Sequence, residues 1–326
     1  MWRLRDFRKR ISTLKANTKL LESNDIYTLN PQYITGFVDG EGCFSITIRR
    51  SKKMKLGWFI SLSFQIHLHS NDKNLLIKIR ENLGNIGGIY KGHSDSCSFN
   101  VSSLSEIVNV LIPFFDKYPL LSKKREDFEL FKMVALIMSK KEHLTDAGFY
   151  KVLAIKATMR KGLTEVLAES FPDIKPIVSP TLNLKLPNQL DPYWIAGFTE
   201  AEGSFIIHVQ NKPDNKLGIG VKLKFQISQH EKDKDLLTLI ILNLNCGNLV
   251  NSNEYIKALI VSKFDDIVNI IIPFYAKYAL HGDKRLNYLD LIKIANIMKD
   301  KGHLTQKGLD QILAIKEEMN RNRKNS

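Results

Sequence analysis

The feature that most constrains this chain is a short acidic motif that occurs twice. Residues 36–42 read GFVDGEG and residues 197–203 read GFTEAEG, 161 positions apart. In each copy a proline-started, helix-like segment ends at the acids and a strand-like run follows. Two equivalent acidic helix ends predict two half-sites related by a pseudo-twofold axis. Duplex DNA has matching symmetry, with one scissile phosphate on each strand.

The repeat extends along nearly the whole chain. LSFQI at 62–66 recurs as LKFQI at 223–227, and IVNVLIPFFDKY at 107–118 recurs as IVNIIIPFYAKY at 267–278. The offset falls from 161 to 160 between these blocks, near glycine-containing turns that tolerate a deletion. The sequence therefore predicts a duplicated domain, with repeats at 31–170 and 191–326. A proline-rich linker at 171–190 joins them, and a basic extension at 1–30 precedes them.

Periodicity within each copy predicts an α-β-β-α-β-β-α order with additional helices, which is an α+β fold. In the first copy we expect the motif helix at 31–40, strands at 44–50 and 59–68, and a helix at 71–83 capped by Asn71 or Asp72. Two short strands follow near 89–91 and 97–101. Further helices are expected at 105–117 and 123–140, and a last one is capped by Thr145.

Composition points to a polyanionic partner. The formal net charge is +14 over 326 residues, which favours nucleic acid, although charge that serves only solubility is the alternative. Three cysteines without metal-ligand spacing indicate a reducing compartment, and no apolar stretch is long enough to span a bilayer. The first 20 residues are rich in arginine and lysine, as in a mitochondrial presequence, a basic arm or the remnant of a longer reading frame.

The motif acids suggest a divalent cation. Carboxylates at a helix C-terminus are unfavourable by roughly 0.3–1 kcal/mol each, so their placement there twice calls for a positive partner with oxygen ligands. Gly36 and Gly40 lie four residues apart, and so do Gly197 and Ala201, which would let two helices approach closely. Packed in this way, Glu41 and Glu202 would lie side by side. Two unrelated surface acids are the alternative.

Each repeat also predicts one polar sheet face next to basic loops. Such a face is typical of an ordinary solvent-facing sheet as well, but Lys and Gln read base edges in the major groove and loop lysines bind phosphates. The candidate DNA-binding residues are Ser45, Thr47, Arg49, Lys53, Ser61, Ser63, Gln65 and His67 in the first repeat and His208, Gln210, Lys222, Lys224, Gln226 and Ser228 in the second.

Two lysines, Lys124 and Lys284, stand at equivalent positions. A lysine near the acids could stabilise charge on the phosphate or polarise a water. A basic residue in the first turn of a helix, without a catalytic role, is the alternative.

The segments YITGFVDGEGCF at 33–44 and YWIAGFTEAEGSF at 193–205 resemble the two motifs of single-chain LAGLIDADG homing endonucleases of fungal mitochondrial introns. The resemblance implies two αββαββα halves whose antiparallel sheets form a saddle over double-stranded DNA. It implies that Glu41, Glu202 and the carbonyls of Gly40 and Ala201 bind Mg²⁺, or Mn²⁺ or Ca²⁺ in its place. Asp39 and Glu200 would then be structural or peripheral. Gln229 would belong to the DNA-binding set and position water, and Leu68 at the equivalent place leaves that role open in the first half.

The resemblance further implies a mitochondrial monomer that cuts both strands of a long asymmetric target across the minor groove, leaving short 3′ overhangs. An RNA maturase that assists splicing of its host intron, and a catalytically silent DNA-binding regulator, are the alternatives. Retention of both Glu41 and Glu202 favours the nuclease.

Overall fold

The structure, a computed structural model, describes residues 28–180 and 185–319. All but the last three residues of the predicted basic extension therefore lie outside the described residues, and so does the hypothesis of a presequence. Within the described part of the chain, no helix is both long and apolar enough to cross a membrane.

The first half begins with the motif helix. Its elements are α1 (Pro31–Glu41), β1 (Gly42–Arg50), β2 (Trp58–His69), α2 (Lys73–Asn82), β3 (Gly88–Lys91), β4 (Ser96–Val101), a continuous helix α3 formed by Leu104–Glu106, Ile107–Leu111 and Ile112–Lys117, then α4 (Lys124–Ser139), α5 (Asp146–Thr158) and α6 (Glu165–Ser170). The middle of α3 is a π-helical turn followed by Pro113, which has no N–H to continue the regular helical bonding.

The second half repeats this order. Its elements are α7 (Pro192–Glu202), β5 (Gly203–Asn211), β6 (Ile219–His230), α8 (Lys234–Leu244), β7 (Asn248–Asn251), β8 (Ile256–Val261), a continuous helix α9 formed by Phe264–Asp266, Ile267–Ile271 and Ile272–Lys277, then α10 (Lys284–Lys299) and α11 (Gln306–Glu318). The offset changes from 161 to 160 between the starts of α8 and β7, so the lost residue lies in the predicted turn.

Each half holds one four-stranded antiparallel sheet. The strand orders are β1-β2-β4-β3 and β5-β6-β8-β7, so the two sheets have the same topology. This confirms the predicted α+β class and the αββαββα repeat. Helix ends agree with the sequence to within about two residues, as expected for fraying termini.

One face of each sheet is buried under helices and is rich in aromatic side chains. Phe44 packs on Phe64 of the neighbouring strand at 5.0 Å between ring centroids, and on Phe115 and Phe128 of the covering helices at 5.7 and 5.3 Å. In the second half Phe205 contacts its equivalents in the same way. Edge-on and tilted rings of this kind stabilise a core beyond simple area burial.

The two motif helices, α1 and α7, form the seam between the halves. A Cβ built on Gly36 would overlap the backbone carbonyl of Trp194, and one built on Gly197 would overlap that of Tyr33. The backbones therefore touch where the sequence places small residues four apart. A local side-chain cap starts each helix. Asn30 Oδ1 accepts from the N–H of Gln32 in α1, and Asp191 Oδ1 accepts from the N–H of Tyr193 in α7, both at 2.8 Å.

One predicted cap is wrong. A 3₁₀ turn at Ser70–Asp72 precedes α2, and Asp72 makes no capping bond to that helix. Its carboxylate instead accepts from the N–H of Asp283 in the other half, at 2.6 Å. The carboxylate therefore caps the start of a helix in the opposite half and not the helix that follows it in sequence.

The seam generates a stability prediction. Gly197→Ala should lower the free energy of unfolding by at least about 2 kcal/mol, because the new methyl overlaps backbone and forces α1 and α7 apart. Gly220→Ala is the matched control, since the nearest atoms to a Cβ there are side-chain atoms of Lys212 at 3.4 and 3.5 Å and of Asn215 at 3.7 Å, all at ordinary contact distances. Urea denaturation compares the two. A Gly197→Ala protein as stable as Gly220→Ala would contradict the described seam.

Candidate active site and nucleic-acid interface

Glu41 and Glu202 are the last residues of α1 and α7. A Cβ on Gly40 would lie 3.0 Å from Cγ and 3.3 Å from Oε1 of Glu202, so the two helix ends meet across the seam. Burial, and next the negative charge of Glu202, raise the pKa of Glu41. The structure therefore brings both motif carboxylates into one half-buried site that favours a cation.

Lys124 and Lys284 lie at the same site. The Nζ of Lys124 donates to the carbonyl of Gly40 at 2.5 Å, and that of Lys284 donates to the carbonyls of Thr199 and Ala201 at 3.1 and 3.0 Å. Burial lowers the pKa of both lysines, and the neighbouring acids oppose this shift. The ammonium groups therefore complement the negative ends of the two helices, which places a positive charge beside each motif acid.

The earlier motif acids are buried and have several donors. Asp39 accepts from the backbone N–H groups of Leu121 and Ser122 at 2.9 Å, from the Ser122 hydroxyl at 2.7 Å and from the Trp194 indole at 2.9 Å. Burial raises the pKa of this carboxyl, while its hydrogen bonds act in the opposite direction. With its oxygens engaged in this way, Asp39 serves the fold, as the sequence resemblance implied.

Glu200 repeats the arrangement on the other side of the seam. It accepts from the N–H groups of His281 and Gly282 at 2.7 and 3.0 Å and from the Tyr33 hydroxyl at 2.9 Å. Tyr33 belongs to α1, just as the indole bound to Asp39 belongs to α7. Each acid thus joins a loop of its own half to the motif helix of the opposite half. The last loop residue bound, Ser122 or Gly282, lies two positions before the lysine that starts α4 or α10.

The donor set suits a hard cation such as Mg²⁺. Glu41 and Glu202 offer carboxylate oxygens, and the carbonyls of Gly40 and Ala201 have a second lone pair besides the one that accepts from a lysine. Over residues 28–180 and 185–319, no group of three or more His, Cys, Asp and Glu side chains could hold a metal ion. One or two carboxylates supplemented by carbonyls, water and phosphate is the usual way in which proteins hold Mg²⁺.

Most predicted DNA-binding side chains share the solvent-accessible face of the two sheets. Cross-strand pairs set their alignment, such as Ser45 opposite Ser63 and His208 opposite Lys222. Exposed or half-buried on this face are Ser45, Thr47, Arg49, Ser61, Ser63, Gln65, His67, His208, Gln210, Lys222, Lys224, Gln226 and Ser228.

Lys53 lies exposed in the turn between β1 and β2, with Lys52 and Lys55. The equivalent turn between β5 and β6 exposes Lys212 and Lys216. Each sheet therefore combines a polar face with basic turns at one end.

Gln229 is separated from this set. It alternates with Phe225 and Ile227, so it lies on the core side of β6 rather than beside Lys224 and Gln226. Its equivalent, Leu68, borders the cavity that also contains Glu41 and Glu202. The end of β2 therefore borders the same cavity as the two motif acids.

Sequence reasoning missed polar residues on β4. Asn100 pairs with Gln65 and Ser98 pairs with His67, so both extend the polar face of the first sheet, with Ser96 beyond them. Alternation in SCSFNV was the available signal, but only the pairing register shows which face each residue occupies. The second sheet has Ile260 at the place of Asn100, opposite Gln226, so the two faces differ chemically.

Comparison with known proteins gives the same result as the geometry. A sequence profile described as "LAGLIDADG endonuclease" matches residues 34–135 and 195–295. The chain belongs to the LAGLIDADG endonuclease family. It is 37% identical over 309 residues to "Probable intron-encoded endonuclease 3" of Neurospora crassa, covering 94% of this chain and 56% of that protein.

Solved LAGLIDADG structures match most of this chain. The I-LtrWI LAGLIDADG homing endonuclease bound to target DNA is 40% identical, with a TM-score of 0.87 over 92% of this chain and 100% of the other. I-SmaMI bound to uncleaved DNA target in the presence of calcium ions is 38% identical, with a TM-score of 0.86 over 89% and 99%.

The chain spans 56% and 64% of the length of two curated Neurospora crassa relatives.

The loop that holds Glu200 generates a pH prediction. His281 packs edge-on against Tyr33, with ring centroids 4.9 Å apart. Burial, with the positive charges of Lys78 and Arg285, lowers the pKa of His281 to about 4. The pKa of His281 in the folded protein lies below the unfolded value of about 6.5. The neutral imidazole therefore contributes to the free energy of unfolding above pH 6.5, and this contribution is lost as the pH falls towards 4.

Between pH 7 and 4.5 the protonation of His281 should lower the free energy of unfolding by roughly 2–3 kcal/mol. His281→Leu, which installs the residue found at the equivalent Leu121, keeps the backbone N–H and should remove that part of the loss. Denaturant unfolding of both proteins at the two pH values measures the difference. Equal losses in both proteins would show that His281 does not titrate as described.

Proposed function

We propose that this protein is a site-specific, Mg²⁺-dependent DNA endonuclease that hydrolyses one phosphodiester on each strand of a long asymmetric target. The observation that carries the proposal is the pairing, at one seam, of two motif carboxylates with two lysines. Each half contributes one acid, one lysine and one sheet. Nothing in a purely structural helix interface requires two half-buried lysines beside two carboxylates at helix C-termini.

The side chains divide the chemistry between binding and charge stabilisation. Hydrolysis requires a water positioned in line with the scissile bond and a proton for the leaving oxygen. When bound at Glu41 and Glu202, Mg²⁺ would lower the pKa of water and stabilise charge on the phosphate oxygens. Lys124 and Lys284 lie within reach of the same centre and would stabilise negative charge that develops on the phosphate. Glu41 and Glu202 orient these groups without forming a covalent bond to the substrate.

Target recognition would use the two sheet faces. The polar side chains on β1, β2, β5 and β6 fit base edges, and Lys53 and Lys212 in the turns fit phosphates. Because the first face carries Asn100 and Ser98 where the second carries Ile260 and Ala258, the halves should read different sequences. An asymmetric target follows from this difference.

The repeats at 31–170 and 191–326 supply both half-sites in one chain, so we propose that a monomer suffices. By family resemblance, we also propose cleavage across the minor groove with short 3′ overhangs, and a mitochondrial location. A role as an RNA maturase for the host intron remains the alternative, and both acids together with both lysines favour the nuclease.

The proposed role of the acids predicts a separation of cutting from binding. Glu41→Gln and Glu202→Gln should each reduce double-strand cleavage at least about 100-fold, as expected for loss of a group that stabilises transition-state charge. Affinity for the duplex should survive, because the sheet faces are unchanged. Glu169→Gln, a change at an exposed glutamate of α6, is the matched control.

A target is first selected by incubating the protein with a randomised duplex library and Mg²⁺ and sequencing the cut ends. Unchanged cutting by both variants would reject the assignment. Absence of cutting by the wild type, together with tight binding of intron RNA, would favour the maturase.

A second prediction separates base reading from phosphate binding. Lys224→Ala, on the face of β6, should relax preference at a few adjacent base pairs by about 1–3 kcal/mol. Lys53→Ala, in an exposed turn, should weaken binding to all sequences alike and reduce the salt dependence of log Kd by about one. A panel of single-base-pair substitutions at two salt concentrations tests both. Identical behaviour of the variants would contradict the distinction.

A further inference from the structure

The helices that carry the lysines begin without a side-chain cap from their own first residues. The residue before α4 is Lys123 and the residue before α10 is Asp283, and neither side chain caps its helix. The N–H groups in the first turn of a helix have no partner within that helix, so they require an acceptor from elsewhere.

In both helices a carboxylate of the opposite half supplies that acceptor. Asp233, just before α8, accepts from the N–H of Lys123 at 2.9 Å. Asp72, just before α2, accepts from the N–H of Asp283 at 2.6 Å, and the Asn71 amide donates to the Asp283 carboxylate at 3.0 Å. Asp72 and Asp233 are equivalent positions of the repeat, so the exchange is reciprocal.

We propose that Asp72 and Asp233 are positioning residues for cleavage, each fixing the start of the lysine-bearing helix of the opposite half. This inference rests on the proposed function. Lys124 and Lys284 are the first residues of α4 and α10, so a shift of either helix start moves the ammonium group directly. Each lysine is thereby placed only when the other half is docked against it.

The two halves depend on this contact to different degrees. In the first half the Ser122 hydroxyl also accepts from the N–H of Lys124 at 3.2 Å. The second half has Gly282 at that position and so has no such hydroxyl. A Cβ on Gly282 would lie 2.6 Å from Oδ1 of Asp72 and 2.9 Å from Oε1 of Glu200, so a glycine there lets Asp72 approach. Loss of Asp72 should therefore have the larger effect.

The test is strand-resolved cleavage kinetics on a selected target with a different label on each strand. Lys124→Met and Lys284→Met first establish which strand depends on each lysine. Asp72→Ala should then slow the strand that Lys284→Met slows, by about 10- to 100-fold for a displacement on the order of 1 Å. Asp233→Ala should follow Lys124→Met, with a smaller effect. DNA affinity should stay within about twofold, since neither carboxylate lies on a sheet face.

Conservative variants distinguish positioning from charge and from general damage. Asp72→Asn keeps Oδ1 as an acceptor for the Asp283 N–H and should restore most of the rate. Thermal unfolding of every variant accompanies the kinetics.

Two results would overturn the inference while leaving the proposed function intact. One is an Asp72→Asn enzyme as slow as Asp72→Ala, which would assign the effect to charge near Lys284. The other is wild-type rates on both strands for Asp72→Ala and Asp233→Ala. A wild-type protein that cuts neither strand of any selected duplex would instead refute the proposed function itself.

Discussion

Close contact between the backbones of α1 and α7 is the constraint on which the rest of the structure depends. Gly36 and Gly197 allow each helix to touch a carbonyl of the other, and Gly40 meets Ala201 at the lower end of the same seam. Only at this separation do Glu41 and Glu202 share one site. Because overlap with backbone cannot be relieved by a rotamer change, side chains at these positions would move the acids apart.

The buried acids Asp39 and Glu200 fix the lysines relative to this helix contact. Asp39 holds the loop before α4 and accepts from Trp194, while Glu200 holds the loop before α10 and accepts from Tyr33. Buried carboxylates stripped of their donors are costly. The loops, the motif helices and the lysines at the starts of α4 and α10 are therefore coupled, and the bonds from Trp194 and Tyr33 carry this coupling across the seam.

Much of this arrangement could be predicted from the sequence because its causes are local or repeated. Small residues four apart predicted the close helices, and period-two alternation predicted the polar sheet faces. The duplicated acids and the equivalent Lys124 and Lys284 predicted the contents of the site. Counting in twos from Phe225 would also have placed Gln229 on the core side of its strand.

The remaining features depend on contacts between distant parts of the chain. Asp72 has the local pattern of a cap for α2, and nothing nearby in the sequence shows that its carboxylate accepts from the N–H of Asp283. The polar extension at Ser98 and Asn100 depends on register with β2. The lysines complement the ends of the motif helices, and this role depends on how α4 and α10 pack against the seam.

The proposed function depends on the two motif carboxylates jointly holding a divalent cation beside DNA. The most direct measurement is a crystal structure of the protein with a selected target and Mn²⁺ in place of Mg²⁺, with the ion located by anomalous scattering. We expect anomalous density in contact with oxygens of Glu41 and Glu202 and with a phosphate of the target. Density elsewhere on the complex, with these two carboxylates directed away from both ion and DNA, would contradict it.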